Sequence, residues 1–320
     1  MNIYFAPLEG VTDVIYRRIH HDCFSGITKY FIPFVCPTQY KSFPPREFRA
    51  ILPENNVGVP VVPQILTKYA DHFLWAASEM ANMGYTEVNL NLGCPSGTVT
   101  AKGKGSGMLR EPVHLVEFLD EIYEKCPIKV SIKTRIGFAS PDEWPGLLEI
   151  FARYPMSEFI IHPRTRTEFY NGQPHAELVA DAFAQTNAPI VYNGELCNVS
   201  DCRDMENRYP KAAALMLGRG LISNPAIAQE LAGGEKLTIA ALRNFHDKLF
   251  DAYAAADWPV KAIIGRMHEI MHYVSCSFAD CDKARKAIRK ASTLAAYESA
   301  VNKLFSECEM RPEPGFTTFK

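Results

Sequence analysis

The chain has 320 residues, 47% hydrophobic and 22% charged, the balance of a globular protein with a sizeable core. Its net charge of -2 carries no overall basic signature, so a nucleic-acid surface would have to come from local clustering. No stretch approaches the ~20 apolar residues of a membrane span, and the first apolar run, Ile3-Tyr4-Phe5-Ala6, is too short and lacks the basic leader of a signal peptide. The nine cysteines are odd in number, and Cys197/Cys202 and Cys276/Cys281 have the wrong rhythm for common zinc motifs. They read as the reduced thiols of a cytoplasmic protein, most of them small core residues, with no metal site expected.

In chain order, short apolar β-rich runs recur at residues 3–6, 28–32, 59–65, 87–91, 129–133, 159–162, 190–192 and 214–217. Helical spacing fills most of the gaps, at 12–23 (Thr12 or Asp13 capping), 69–83, 112–125, 141–154 and 199–209. Eight strands alternating with helices predict a parallel (β/α)8 barrel. An open doubly wound sheet would place a glycine-rich turn after the first strand, and Pro7-Leu8-Glu9-Gly10 is not one. Polar residues recur at or just past the strand ends, which a barrel gathers on one catalytic face. After Gly233-Gly234 the chain is helical and alanine-rich from about 238 to 305, with basic rows at 283/286/290 and 285/289. The expected divisions are a barrel over 1–235, a helical domain over 236–306 and an extended tail over 307–320.

The stretch Asn89-Leu90-Asn91-Leu92-Gly93-Cys94-Pro95-Ser96 breaks a strand with a glycine and a proline around one cysteine. A thiol there is exposed at the mouth and fixed in direction. The following segment, residues 98–107, carries Lys102 and Lys104 with three glycines, Gly103, Gly105 and Gly107, and reads as a flexible basic lid. Fixed thiol and basic lid point to chemistry on a large anionic substrate.

These residues resemble the tRNA-dihydrouridine synthase family of flavin enzymes. The resemblance rests on Ala6-Pro7-Leu8-Glu9-Gly10-Val11-Thr12-Asp13, Asn91-Leu92-Gly93-Cys94-Pro95, Lys133-Thr134-Arg135-Ile136-Gly137, His162-Pro163-Arg164-Thr165-Arg166, Asn193-Gly194 and Gly218-Arg219-Gly220-Leu221-Ile222-Ser223-Asn224-Pro225. The set spans the barrel in the family's order. Leu8 stands where the family usually has methionine, and Pro163 where glycine is common; neither change removes a chemical group.

The resemblance implies FMN as cofactor, NADPH as reductant, and reduction of tRNA uridines to 5,6-dihydrouridine. It makes Cys94 the acid that protonates uracil C5, a role open to a thiol of ordinary pKa ~8.5. Gln64 and Lys133 would meet the polar edge of the flavin ring, with Asn91 positioning the flavin or the target base and His162 also in flavin contact. Pro7, Leu8 and Glu9 would lie along the flavin. Asn193, Gly194 and Glu195 after the seventh strand, with Gly218 and Arg219 after the eighth, would hold its phosphate, in loops that often bind phosphate in barrels. Arg135, Arg164 and Arg166 either line the pocket or bind phosphates. Lys102, Lys104 and Arg110, with Arg285, Lys286, Arg289 and Lys290 of the helical appendage, are the expected RNA contacts. The partner is then tRNA, with no membrane, and the protein a monomer. A barrel flavin dehydrogenase of free pyrimidines, of dihydroorotate type, and a non-catalytic RNA-binding module are the rival readings.

Overall fold

The computed structural model describes residues 1–256 and 258–317. It contains nine strand segments: β1 (Asn2–Phe5), β2 (Ile27–Phe31), β3 (Val61–Val62), β4 (Gln64–Ile65), β5 (Glu87–Leu92), β6 (Lys129–Gly137), β7 (Phe159–Thr165), β8 (Ile190–Tyr192) and β9 (Ala214–Leu217). They form one sheet in the order β3-β2-β1-β9-β8-β7-β6-β5-β4. The two ends of that order are consecutive in the chain and separated only by Pro63. Proline has no N–H to give a ladder, so it splits one strand into two segments. β3 pairs in parallel with β2, and β4 in parallel with β5. The sheet therefore closes on itself, and the nine segments make the eight strands of the expected (β/α)8 barrel.

Two strands outrun their expected ends. β6 continues past Lys133 to Gly137 and β7 past His162 to Thr165, paired with a register shift between Arg135 and Gly137. Lys133 and His162 thus lie within extended arms, and the arms carry Arg135 and Arg164 beyond them. The expected helices appear as Val14–Cys23, Ala70–Asn82, Pro112–Lys125, Trp144–Phe151 and Val199–Arg208. Asp13 is the cap of the first: its carboxylate accepts from Tyr16 N at 3.0 Å. Helices Pro45–Ile51, Val179–Gln185 and Ile227–Leu231 complete the βα rhythm and were not expected.

Alternation along the strands sorts side chains inward and outward. At the N-terminal end of the strands, Lys29 Nζ bridges Glu87 (2.8 Å) and Glu158 (2.9 Å), and the Tyr4 hydroxyl donates to Glu158 at 2.6 Å. One layer up, Gln64, Asn89 and Ser131 stand in register. Above them come Asn91 beside Lys133, then Arg135 beside His162. The polarity of this interior rises from a closed ionic plug to a donor-rich mouth.

The chain divides into two compact units. One comprises Met1–Pro7, Lys29–Glu195 and Arg208–Met216; the other comprises Leu8–Thr28, Leu196–Asn207 and Leu217–Lys320. The second contains the C-terminal helices Ile239–Ala255, Val260–Val274, Asp282–Lys290 and Leu294–Glu307. Thr238 and Thr293 cap the first and last by accepting from Ala241 N and Ala296 N. Leu242, Phe245, His246, Leu249 and Tyr253 form the buried stripe of the first of these helices. Asp13 belongs to this unit too, where it accepts from Tyr253 Oη at 2.9 Å.

All nine cysteines are free thiols, but only Cys202, Cys276 and Cys281 are buried. The expectation that most are core residues fails for the rest. Cys126 and Cys308, for example, follow helix ends, where packing is half open.

Candidate active site

The turn after β5 is held from both sides of Cys94. Asn91 Oδ1 accepts from Gly93 N (3.1 Å) and Cys94 N (2.9 Å), an Asx-type turn that fixes the path of the chain out of the strand. The Cys94 carbonyl accepts from Ser106 Oγ (2.8 Å) and Ser106 N (3.2 Å). Asn91 is itself oriented by its layer: its Nδ2 donates to Gln64 Oε1 (2.7 Å), Gln64 Nε2 donates to Asn89 Oδ1 (2.7 Å), and Asn89 Nδ2 donates to Ser131 Oγ (2.9 Å). A chain of directional amides thus fixes the backbone that carries the thiol. Asn89 and Ser131, buried strand residues, were not singled out from sequence; their inward register with Gln64 is what identifies them.

The arginines of the motifs secure the same turn. Arg135 Nε donates to Gly93 O (3.0 Å) and its Nη1 to Thr165 O (2.7 Å). Arg166 Nε donates to Pro95 O at 3.2 Å, and its guanidinium lies over Phe138 and Phe169. Arg164 Nη2 binds the Glu195 carboxylate and Gly172 O, and its Nη1 donates to His162 Nε2 at 3.3 Å. Arg135 and Arg166 thus each have a backbone carbonyl of the Cys94 turn as partner. Glu195, expected against the cofactor, has its carboxylate on Arg164.

Lys133 carries no hydrogen bond or salt bridge among the described residues. Burial pushes its ammonium down to about 7, the nearby Arg135 charge adds to the depression, and Cys94 opposes it. Burial likewise lowers Arg135 to about 10, with Cys94 and Tyr170 opposing. Cys94, Lys133 and Arg135 therefore share one electrostatic neighbourhood. Tyr170, absent from the sequence reading, stands over the Arg135 guanidinium at 5.4 Å and 6.0 Å from the His162 ring, yet is 52% exposed.

The segment after Cys94 is not the free lid its glycines suggest. It folds as a short helix, Gly97–Thr100, and a 3-10 turn, Gly105–Arg110, and Gly105 through Leu109 are buried. A Cβ on Gly105 would lie 3.0 Å from Cys94 O, and one on Gly107 2.9 Å from Thr100 O. Glycine is used here for close approach, not for mobility. Lys102 is exposed and Lys104 half-exposed, whereas Arg110 donates to Thr100 O at 3.1 Å and covers Phe138 at 4.6 Å.

Asn193 follows β8, and its Nδ2 donates to Met216 O at 2.7 Å. Gly194 sits so close to the Tyr192 ring that a Cβ would collide with it. Pro7 ends the barrel unit's first segment at the exit of β1. In the second unit, Leu8 accepts at its carbonyl from Val11 N and Thr12 N, and Glu9 is exposed on that turn. Gly218 and Arg219 follow β9, and Gly220 packs against the Leu196 carbonyl too closely for any side chain. On the helix Asp282–Lys290, Arg285 binds Asp282 at 3.1 Å, while Lys286, Arg289 and Lys290 are exposed with no hydrogen bond or salt bridge among the described residues.

A parallel barrel with a cysteine turn anchored beside Lys133 and Arg135 at its strand ends has the architecture of a barrel enzyme. The chain belongs to the dihydrouridine synthase family, whose model matches residues 4–312. It is 28% identical over 301 residues to the tRNA-dihydrouridine(16) synthase of Pseudomonas putida, covering 88% of this chain and 90% of that one. It is also 28% identical over 257 residues to a probable tRNA-dihydrouridine synthase of Staphylococcus epidermidis, covering 78% and 77%. Among solved structures, the fold is similar to an old yellow enzyme homologue from Zymomonas mobilis, with a TM-score of 0.52 and 11% identity over 75% of this chain and 91% of that one. No helix among the described residues is long and apolar enough to cross a membrane.

Proposed function

We propose that this chain reduces uridine in tRNA to 5,6-dihydrouridine, with FMN as its bound cofactor and NADPH as reductant. The observation that carries the reading is the Cys94 turn, held through both its N–H and its C=O beside Lys133 and Arg135. Membership of the family supplies the reaction.

The donor set fits a flavin. Lys133 is a half-buried cation without a salt bridge, suited to the polar edge of the ring, and Arg164 Nε is a buried donor without a hydrogen-bond partner. Gln64, Asn91, His162 and Asn193 supply further donors from the same inward column, and Pro7, Leu8 and Glu9 follow the first strand. Gly194, Glu195, Gly218 and Arg219 belong to the loops after β8 and β9, adjacent strands of the sheet, and are assigned to the phosphate. When bound there, a flavin would supply the hydride for uracil C6. Cys94 holds the proton that C5 requires, from a position its backbone cannot leave without breaking the Asn91 and Ser106 hydrogen bonds. The Lys133 and Arg135 cations stabilise negative charge developing nearby, an electrostatic contribution ready before the reaction begins.

The target base must leave its stack to enter the mouth. Lys102, half-exposed Lys104, Lys286, Arg289 and Lys290 are assigned to RNA phosphates; Arg110 and Arg285, with intramolecular partners already, contribute less. We place the protein in the cytoplasm, as a monomer. Position 16, for which the Pseudomonas relative is named, is the first tRNA site to inspect.

Mapping dihydrouridine in tRNA and rRNA, with and without the gene, tests substrate and position together. On the purified protein, Cys94→Ala is expected to lose roughly 10²–10⁴-fold in single-turnover uridine reduction while keeping its flavin, the range for one general acid. Near-normal reduction by that variant removes Cys94 from the role. Turnover of free uracil or orotate, indifferent to tRNA, would favour a free-pyrimidine dehydrogenase instead.

A further inference from the structure

The C-terminal residues 311–317 do more than trail from the last helix. An antiparallel bridge pairs Phe278 with Met310, and Arg311 N donates to Ser277 O at 2.9 Å. From that anchor the chain runs along the two loops that follow the last barrel strands. Glu313 Oε1 accepts from Ser200 N (3.0 Å), Pro314 O accepts from Asn224 Nδ2 (3.3 Å), and Phe316 N donates to Cys197 O (3.0 Å). Gly315 is buried so tightly against Cys197 O that a side chain there would collide with it. Just beyond, the Arg219 guanidinium lies 4.5 Å from the centroid of the Phe316 ring, which also meets the Tyr273 ring at 5.8 Å.

We propose that this segment is a strap that sets the direction of Arg219, and that Phe316 is a positioning residue for recognition of the cofactor's phosphate. The inference rests on the assignment of Arg219 to that phosphate. An aromatic ring is the suitable partner because stacking engages the face of a guanidinium, while its N–H donors lie along the edge, where phosphate oxygens bind. An aliphatic side chain would fill the space but exert no such orientation. The backbone contacts at Cys197, Ser200 and Asn224 fix where the ring sits, and the absence of a side chain at Gly315 lets the strap come that close.

The test compares FMN with riboflavin, which lacks the phosphate. Full-length protein stripped of flavin is titrated with each by fluorescence quenching, as wild type, Phe316→Leu and Phe316→Tyr. Leucine keeps apolar packing and removes the ring; tyrosine keeps the ring. Wild type is expected to prefer FMN. Phe316→Leu should weaken FMN binding about tenfold (about 1.4 kcal/mol) and leave riboflavin binding within about twofold, with Phe316→Tyr restoring the preference. Gly315→Val, which displaces the strap, should reproduce the leucine pattern. An FMN-to-riboflavin ratio in Phe316→Leu equal to that of wild type overturns the strap, whether both affinities hold or both fall. If wild type itself binds the two flavins equally or neither, the assignment of Arg219 to a phosphate fails, and the strap's role fails with it.

Discussion

Lys133 shows how one side chain can be costly to the fold and useful to the site. Its amine is depressed to about 7, first by burial and then by Arg135, against an ordinary value of 10.5. The unfolded chain therefore takes up a proton between about 10.5 and 7 that the folded chain refuses, so stability declines as pH falls through that window and levels off below it. A bound group that accepts from the ammonium reverses the preference. FMN binding near pH 8 is then expected to take up about one proton, and affinity should fall as pH rises above 7. Calorimetry in buffers of different ionisation enthalpy measures the uptake, and Lys133→Met should abolish it. Equal uptake in wild type and Lys133→Met would detach Lys133 from the ligand. The other charged side chains of the mouth are already engaged: Arg135 and Arg166 on carbonyls, Arg164 on Glu195.

The segment from Gly97 to Arg110 packs against the Cys94 turn through Gly105 and Ser106. Gly105 has φ +56, and a Cβ there would meet Cys94 O at 3.0 Å and Cys94 Cβ at 3.1 Å. Gly105→Ala adds left-handed strain and pushes on the thiol's own backbone, for a cost of about 1–3 kcal/mol. The expected outcome is a melting temperature several degrees lower and a single-turnover rate reduced more than the flavin content. Wild-type rate and melting temperature together would mean that the contact yields freely. This element also marks where the sequence was least readable. Strand runs such as 190–192 and 214–217 appear where apolar β-rich composition put them, because buried parallel strands are apolar on both faces. Composition could not show that Pro63 splits a strand without breaking the barrel. It could not show that β6 carries on through the polar Lys133-Thr134-Arg135 stretch, since the support comes from β7 alongside. Glycine and lysine between 101 and 107 look the same in a loose loop as in a tight one; only the neighbour across from each glycine tells them apart. The candidate site residues stand out in the sequence only as a set of motifs, for a related reason. Their roles were divided by partners far away in sequence, as Asn91 is tied to Gln64 and Arg166 to Pro95.

For the molecule as a whole, a net charge of -2 means that long-range attraction to RNA is weak and that affinity depends on local cations. The helix Asp282–Lys290 is the strongest such group: it buries Ala284 and Ile288 on one face and exposes Lys286, Arg289 and Lys290 on the other. Because no intramolecular acid neutralises these three among the described residues, each is available to displace a counterion from a phosphate. Counterion release makes the logarithm of affinity fall linearly with the logarithm of salt, by roughly 0.7–0.9 per phosphate neutralised. Replacing all three by glutamate should therefore weaken tRNA binding and make that slope shallower by about 2. Flavin content and the far-ultraviolet circular dichroism should not change, since none of the three supports the helix's buried face. Filter binding of tRNA between low and physiological salt measures the slope. A variant with the wild-type slope would move the RNA contacts off this helix, leaving Lys102 and Lys104 beside the Cys94 turn as the cations to reverse next.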